Sequence, residues 1–269
     1  MIETKEVNFA YRRGEPVIND IDCRIEDGEF IALLGHNGSG KTTLSRLFMA
    51  LMHPRSGAVY LDGEDIAKKE PADLADRIGY VFQNPDLQIL ADTVWDEVAY
   101  GPRNKKLPAE QVSAQVEEAL AATGLTDFAE VYPRTLSFGQ KRRLGVAAAL
   151  ALKPRILILD EITNGQDSLE KEQMMNYLRA INEKRGITVI LITHDMNIAR
   201  LYARRVLVLH NGSLVFDDVP EELFNGIKDL GEWGLEQPTM AALSRAFGLY
   251  ALTVGDFCSQ LVLKAGEQQ

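Results

Sequence analysis

The sequence predicts an α/β fold with a mixed, mostly parallel core sheet, a small antiparallel β subdomain, an inserted helical subdomain and a short C-terminal extension. Short apolar runs at 30–34, 155–159 and 187–192 are typical of buried parallel strands. The stretch 92–152, between the first two runs, has mostly helical patterning, whereas residues 1–34 alternate strand-like segments with turns. The helical stretch is therefore expected to interrupt the core sheet, with the antiparallel subdomain beside it.

A glycine-rich segment follows the first apolar run. Residues 35–42 are Gly-His-Asn-Gly-Ser-Gly-Lys-Thr, and apolar residues recur at helical spacing from Leu44 to Leu51. Glycines let the backbone wrap closely around phosphate oxygens, and the following helix directs the positive end of its dipole at them. Lys41 is then placed to reach the β- and γ-phosphates, and the Thr42 hydroxyl to bind Mg²⁺. This pattern is that of a P-loop NTPase, and the residues expected to bind the nucleotide are Gly35, Asn37, Gly38, Ser39, Gly40, Lys41, Thr42 and Thr43.

Two later strands end in polar residues that suit catalysis. Asp160 and Glu161 follow the run 155–159, and His194 follows the run 187–192. A carboxylate at such a strand tip holds Mg²⁺ in P-loop enzymes, so Asp160 is the expected metal ligand. Glu161 is placed to polarise the attacking water. A solvated turn for the Asp-Glu pair and a capping role for His194 are the alternatives, and the upstream phosphate loop favours the catalytic interpretation.

A short signature, Leu-Ser-Phe-Gly-Gln at 136–140, opens another helix, with Ser137 as its expected N-cap. The phosphate loop, this signature and the two polar strand tips follow one another along the chain in that order. In this the chain resembles the ATPase subunit of an ATP-binding-cassette (ABC) transporter. The resemblance covers about residues 1–225. It implies that ATP is the substrate, that Mg²⁺ is the cofactor, and that each ATP site is completed by the signature of a second subunit.

The resemblance also implies roles for single residues. Tyr11 corresponds to the aromatic residue that stacks on adenine, although Phe9 is close enough to compete for that role. Gln83 corresponds to the glutamine that contacts Mg²⁺ and the nucleophilic water near the membrane partner. The remaining correspondences are Ser137, Gly139 and Gln140 in the signature that contacts the opposite subunit's nucleotide, Asp167 in the loop that crosses the dimer interface, and His194 as the switch that senses the γ-phosphate.

A finer resemblance lies in residues 83–88, Gln-Asn-Pro-Asp-Leu-Gln, which are similar to a stretch of cobalt-type and energy-coupling-factor cassettes. Those importers take up vitamins or transition-metal ions. The resemblance implies a second cassette, a transmembrane coupling protein and a substrate-capture membrane protein as partners, at the cytoplasmic face of the membrane. The alternatives are an ordinary polar turn at this position, since Asn-Pro and Pro-Asp are turn formers, a cassette of another importer class, and a non-transport ATPase of the same family.

Three residues depart from the family pattern. Phe138 stands where the signature usually has glycine, and Ile162 stands where proline usually follows the catalytic glutamate. Gln166 is polar at a position of the interface loop that is normally apolar. Because this loop contacts the other subunit, we expect the chain to pair better with a non-identical cassette than with a copy of itself.

Composition limits the possible partners. The chain has 269 residues and a formal net charge of −10, which argues against a broad nucleic-acid surface. The local basic run Lys141-Arg142-Arg143 is expected on the exposed face of the signature helix. No apolar run approaches the ~20 residues of a membrane helix, and the first residues lack the pattern of a signal peptide. Cys23 and Cys258 have no metal-ligand spacing and are expected to be reduced thiols.

The expected division is a nucleotide-binding domain over 1–225, with its helical subdomain at about 92–152, and an extension over 226–269. Pro238 is expected to open an amphipathic helix in that extension. The apolar residues that indicate this helix are Met240, Leu243, Ala246 and Phe247. The extension either caps the end of the sheet or stabilises a dimer, as similar extensions do in energy-coupling-factor cassettes.

Overall fold

The computed structural model of the protein describes residues 1–11, 14–226, 229–251 and 253–266. The strands in these ranges are β1 (Ile2–Phe9), β2 (Ile18–Ile25), β3 (Phe30–Leu34), β4 (Ser56–Leu61), β5 (Glu64–Asp65), β6 (Ile78–Val81), β7 (Ile156–Asp160), β8 (Thr188–Ile192), β9 (Arg205–His210) and β10 (Ser213–Asp218). The helices are α1 (Lys41–Phe48), α2 (Pro71–Leu74), α3 (Val94–Asn104), α4 (Ala109–Thr123), α5 (Phe138–Leu150), α6 (Ser168–Arg185), α7 (Met196–Tyr202), α8 (Thr239–Ala246) and α9 (Val254–Gly266).

The larger sheet has the strand order β10-β9-β3-β8-β7-β6. Its pairs are parallel from β9 to β6, and only the β9–β10 pair is antiparallel among the strands described. The central strands β3, β7 and β8 are buried along their whole length, as their continuous apolar runs predict. The predicted α/β class with a mixed, mostly parallel sheet is therefore confirmed.

The smaller sheet has the order β2-β1-β4-β5 and is antiparallel. Its apolar residues pack on one face of the larger sheet together with α1, in a core that includes Ile21, Leu47 and Ile190. The opposite face of the larger sheet packs against α6 through Met175 and Leu178. The larger sheet is thus covered on both faces, and the carboxyl ends of its parallel strands stay open for a site.

The helical subdomain consists of α3, α4 and α5 and lies between β6 and β7 in the chain. These three helices share their own core, which includes Val98, Val116 and Leu144. The signature helix α5 also contacts β6, so the subdomain is joined to the larger sheet along that edge. Among the described helices, none combines the length and the apolar character that a bilayer crossing requires.

One detail of the helix predictions was wrong. The helix after the phosphate loop ends at Phe48, because Ala50 adopts a left-handed φ of 51°, and Leu51 is consequently exposed. In α8, which follows Pro238 as predicted, the buried residues are Ala241 and Ser244.

The first part of the C-terminal extension shares a core with the strand that carries the phosphate loop. Leu230, Leu235 and Ala241 are buried together with Ala32 and Leu34 of β3. In α9, by contrast, large apolar side chains remain exposed, and they include Val254, Val262 and Leu263. The two parts of the extension therefore bury very different amounts of apolar surface.

Two truncations test this difference. Removing residues 229–269 opens the core against β3, and we expect the melting temperature to fall sharply, because a buried leucine contributes ~2–5 kcal/mol to stability. Removing only residues 253–269 takes away one buried apolar side chain among the described residues, Phe257, and is expected to lower the melting temperature much less. If both truncated proteins melt alike, the segment 229–251 does not stabilise the sheet. Sedimentation of the shorter deletion then tells whether α9 supports a dimer.

Candidate nucleotide-binding site

The glycine-rich loop between β3 and α1 has a backbone that only glycine accommodates at two positions. Gly35 has a φ of 147°, and a Cβ atom there would lie 2.3 Å from the carbonyl oxygen of Leu209. Gly40 has a φ of 105°, and its Cβ would lie 2.7 Å from Cδ1 of Ile18. The loop is therefore packed between β9 and β2, with its outer side facing a cleft.

Lys41, at the start of α1, is buried and turned back over the loop. Its Nζ donates to the carbonyl oxygens of Gly35 at 2.8 Å and His36 at 3.0 Å. Burial lowers the pKa of Lys41, and the carboxylates of Glu161 and Asp160 act in the opposite direction. The side chain thus places a cationic group beside the concavity of the loop, where it is able to bind an anionic ligand.

The loop opens on a cleft of about 750 Å³ that collects residues from distant parts of the chain. Ser39 lies beneath it, buried, and its Oγ has no hydrogen-bond partner within the described ranges. The cleft is lined by Tyr11, Val17, Asn37, Gly38, Gly40, Lys41, Thr42, Thr43, Gln83, Glu161, Asn164 and His194.

Of the two aromatic residues near the end of β1, Tyr11 is the one that lines the cleft. Its side chain is 57% exposed, and its hydroxyl lies 2.8 Å from Oγ1 of Thr43 in α1. Phe9 packs on the core below and meets the Tyr11 ring edge-on, with 5.1 Å between the ring centroids. Tyr11 consequently presents a supported aromatic face where a base could stack.

Oxygen ligands suitable for Mg²⁺ meet at the tip of β7. The Thr42 hydroxyl donates to Oδ1 of Asp160 at 3.4 Å, and the Tyr80 hydroxyl donates to Oδ2 at 3.2 Å. Oγ of Ser45 lies 3.0 Å from the Tyr80 hydroxyl and extends this network. Burial raises the pKa of Asp160, and the hydrogen bonds from Thr42 and Tyr80 oppose that rise.

This donor set fits Mg²⁺. Hydroxyl, carboxylate and amide oxygens are hard ligands, and Mg²⁺ is commonly held by one or two carboxylates together with substrate phosphates and water. The described residues contain no cluster of three or more His, Cys, Asp or Glu side chains that would form a complete protein cage. Thr42 and Asp160 would therefore hold the ion together with the nucleotide, with Gln83 close by.

Glu161 is the point at which three segments converge. Its carboxylate accepts from Nε2 of Gln83 at 2.7 Å and from Nδ2 of Asn164 at 2.6 Å, and Nδ1 of His194 lies 3.6 Å away. Its backbone has a left-handed φ of 50°, and its amide donates to the carbonyl of Ile192 in β8. The carboxylate is thus aimed into the cleft by fixed neighbours, which suits a group that must orient a water molecule.

The signature residues lie away from this cleft. Ser137 caps α5 by accepting from the amide of Gln140 at 3.2 Å, and the Gln140 side chain accepts from the Ser137 amide at 2.8 Å. Gly139 sits against α6, where a Cβ would lie 2.8 Å from Oε1 of Glu170. One subunit therefore does not bring its own signature to its own phosphate loop.

The interface loop and the departures have separate environments. Asp167 caps α6 by accepting from the amide of Glu170 at 2.8 Å and is exposed. Ile162 is fully buried in the core beside α6. The Oε1 atom of Gln166 is buried without a hydrogen-bond partner in the described part of the chain. Sequence reasoning did not single out Asn164, Tyr80 or Ser45 for the site. Tyr80 and Ser45 act through contacts between distant segments, and Asn164 reaches Glu161 within one loop whose conformation has no clear sequence pattern.

Asp160 gives a test of the metal site that does not require turnover. Burial raises the pKa of Asp160 above the unfolded value of ~3.9. The folded state therefore loses stability as pH rises from the unfolded pKa to the folded pKa, and it stays less stable at neutral pH. Asp160→Asn removes this cost, so we expect the nucleotide-free variant to melt at a higher temperature than the parent at neutral pH.

The same variant should lose the stabilisation that ATP with Mg²⁺ gives to the parent, and its advantage should vanish in acid, where the parent is protonated. Asp127→Asn, at an exposed position on the helical subdomain, is the control and should change neither property. A lower melting temperature for Asp160→Asn would show that its hydrogen bonds outweigh the cost of burying its charge.

Comparisons with known proteins agree with this geometry. A family model described as ABC transporter matches residues 18–164, more than half of the chain. A putative ABC transporter ATP-binding protein of Caldanaerobacter subterraneus is 40% identical over 96% of this chain, and the chain spans 45% of that protein's length. The energy-coupling factor transporter ATP-binding protein EcfA1 of Streptococcus thermophilus is 39% identical, over 91% of this chain and 89% of that protein.

Two solved structures are similar to the whole architecture. The cbiO1 protein of Clostridium perfringens, described as part of the ABC transporter complex cbiONQ, has a TM-score of 0.79 and 34% identity, over 90% of this chain and 97% of that one. A dimeric post-hydrolysis state of the ATP-binding cassette MJ0796, bound to ADP and Pi, has a TM-score of 0.75 and 30% identity, over 82% of this chain and 99% of that one. The chain therefore belongs to the ATP-binding subunits of ABC transporters, enzymes that hydrolyse ATP to drive transport, in the group that includes the energy-coupling-factor ATP-binding proteins.

Proposed function

We propose that this chain is the ATPase of an energy-coupling-factor type importer that takes up a vitamin or a transition-metal ion. The convergence of Gln83, Asn164 and His194 on Glu161 carries the catalytic part of the proposal. The stretch 83–88 and the relatives named energy-coupling factor and cbiO support the importer class. In this proposal the cargo itself is chosen by a membrane subunit, because the residues that line the cleft are assigned to the nucleotide and Mg²⁺.

In this proposal ATP binds between the phosphate loop of one subunit and the signature of the other. Tyr11 stacks on the adenine. The Lys41 ammonium group leaves the carbonyl oxygens of Gly35 and His36 and binds phosphate oxygens instead. Thr42 and Asp160 would hold Mg²⁺. The ion supplies positive charge that neutralises the phosphate oxygens. Glu161 then orients a water molecule and accepts its proton, while Gln83 and His194 hold the carboxylate in place.

The second subunit is proposed from the position of the signature. Ser137, Gly139 and Gln140 lie away from the cleft, so a γ-phosphate bound by one subunit needs another chain's signature. Asp167 is exposed at the start of α6, where a neighbouring subunit could reach it. Gln166 supports the proposal that the natural partner is a different cassette, because it places a polar side chain at a position of the interface loop that is normally apolar.

The membrane subunit is proposed to dock in an apolar groove next to Gln83. This groove lies between the helical subdomain and β6, and its rim carries Leu90 and Tyr100, which are 71% and 51% exposed. Tyr80 lies in its floor, and the hydroxyl of that residue donates to Asp160. A transmembrane coupling protein bound there would hold the chain at the cytoplasmic face of the membrane and would contact a residue that touches the metal ligand.

Glu161→Gln tests the catalytic assignment. The amide keeps the size of the side chain but cannot accept a proton, so we expect ATP binding to persist while turnover falls by ~10²–10⁴-fold. The readouts are nucleotide affinity and phosphate release, with Glu110→Gln on the exposed surface of α4 as the control. Hydrolysis at the parent rate by Glu161→Gln would show that another group activates the water.

Affinity purification from native membranes, followed by mass spectrometry, tests the importer class. We expect a coupling protein, a capture protein and a second, different cassette to remain bound. Leu90→Asp should release the membrane proteins, because it places a charge on the apolar rim of the groove, while ATP binding stays intact. Val219→Asp, at an exposed apolar position after β10, should release nothing.

Other outcomes of the purification would contradict the importer class. Copies of the same chain with two large permeases would indicate another class of ABC importer, and the absence of any membrane protein would indicate a non-transport ATPase. Retention of the membrane proteins by Leu90→Asp would place the docking surface elsewhere.

A further inference from the structure

Arg142 is a buried arginine in the signature helix. The sequence predicts the basic run 141–143 on an exposed face, and for Arg142 this was wrong, because the residue is only 2% exposed. Burial of a guanidinium group is costly unless it is hydrogen-bonded and close to compensating charge. Burial also lowers the pKa of Arg142. The contacts that hold the side chain there are therefore informative.

The guanidinium of Arg142 lies between the signature and the loop after Glu161. Its Nη1 donates to the carbonyl oxygen of Ile162 at 2.5 Å, and its Cζ lies 4.4 Å from the centroid of the Phe138 ring. The negative charges of Glu161 and Glu170 favour its charged form. Together these contacts give the buried guanidinium a hydrogen bond, an aromatic face and compensating charge, while its Nε has no hydrogen-bond partner among the described residues.

The carbonyl that Arg142 holds belongs to the residue directly after Glu161. On the other side, the Glu161 amide is fixed by the carbonyl of Ile192 in β8. The Ile162 side chain is anchored in the core. The peptide segment that sets the direction of the Glu161 carboxylate is thus fixed by the sheet at one end and by the signature helix at the other.

Two departures from the family pattern meet at this arginine. Phe138 replaces the usual glycine and provides the ring beside the guanidinium. Ile162, which stands where proline is usual, accepts the hydrogen bond through its backbone carbonyl, a group that proline also has. The Phe138 ring also approaches the same loop further along, where a Cβ at Gly165 would lie 3.9 Å from its Cε1. In this chain the side chains of Arg142 and Phe138 join the signature helix to the backbone of the loop after Glu161.

We propose that Arg142 is a positioning residue for ATP hydrolysis, which transmits movement of the signature helix to the segment that carries Glu161 in the same subunit. The inference rests on the proposed roles of Glu161 and of the signature. When the partner's nucleotide engages Ser137 and Gly139, α5 moves, and Arg142 carries that movement to Ile162. Each subunit's chemistry then depends on the nucleotide bound in the other site.

The test compares Arg142→Gln with a matched arginine elsewhere. Arg179 on α6 has the same kinds of contact, because its Nη2 donates to the Leu201 carbonyl at 3.1 Å and its Cζ lies 4.6 Å from the Tyr202 ring centroid. In the complete transporter, we expect Arg142→Gln to lower kcat by ~10–100-fold, as misplaced catalytic groups do, with KM changed less than about threefold. Arg179→Gln should leave both unchanged.

Arg142→Lys separates positioning from loss of the fold. Lysine keeps the charge and one donor for the Ile162 carbonyl but lacks the planar fork, so we expect it to recover part of kcat. In a Glu161→Gln background, Arg142→Gln should leave ATP-dependent dimerisation unchanged. Thermal melting verifies that each variant is folded. If Arg142→Gln does not fold, Arg142→Lys tests the proposal alone, and a kcat below that of the parent supports it.

Hydrogen–deuterium exchange gives a readout independent of turnover. Exchange at residues 161–165 should rise in Arg142→Gln and not in Arg179→Gln. An unchanged kcat would overturn the proposal, because Arg142 would then have no part in hydrolysis. Loss of dimerisation with faster exchange along the whole of α5 would also overturn it, because Arg142 would then be needed to fold the signature helix. If the parent complex hydrolyses no ATP, the proposed function fails, whereas the exchange result still decides whether Arg142 holds the loop.

Discussion

The position of the phosphate loop depends on close packing between glycines and two strands that belong to different sheets. Gly35 lies against β9 of the larger sheet, and Gly40 lies against the start of β2 in the smaller one. Any side chain at either position would push the loop off these strands. Since Lys41 and Thr42 follow directly, the groups that would hold phosphate and Mg²⁺ keep their places only while both sheets stay in contact.

The tips of β7 and β8 complete this arrangement through charge. Asp160 is buried and Glu161 is mostly buried, and donors fix the oxygen atoms of each carboxylate: Thr42 and Tyr80 for the first, Gln83 and Asn164 for the second. Burial disfavours the charged form of Asp160, as its raised pKa shows, and it likewise disfavours the charged form of Lys41. The site thus gives up stability for a fixed arrangement that a cation and an anionic nucleotide complete.

The sequence was sufficient wherever the chemistry lies in contiguous residues. The glycine-rich loop, the buried strands and the polar strand tips each have a local pattern, and the family resemblance ordered them. It was insufficient where a contact joins distant segments, as between Tyr80 and Asp160 or between Arg142 and Ile162, because spacing along the chain does not report such a pair. Arg142 also shows that a basic run does not predict exposure of each residue in it. Its side chain is buried because it contacts the Phe138 ring and donates to the Ile162 carbonyl.

The shared core of β3 and the segment 229–251 has a consequence for the order in which the chain folds. During synthesis β3 leaves the ribosome long before Leu230 and Leu235, so the face of β3 that these leucines cover together with α7 is completed only after residues 229–251 have emerged. Contacts between segments so far apart in sequence form late and slowly. The nascent chain therefore exposes part of an apolar strand until late in its synthesis. Exposed apolar surface of this kind promotes aggregation and chaperone binding.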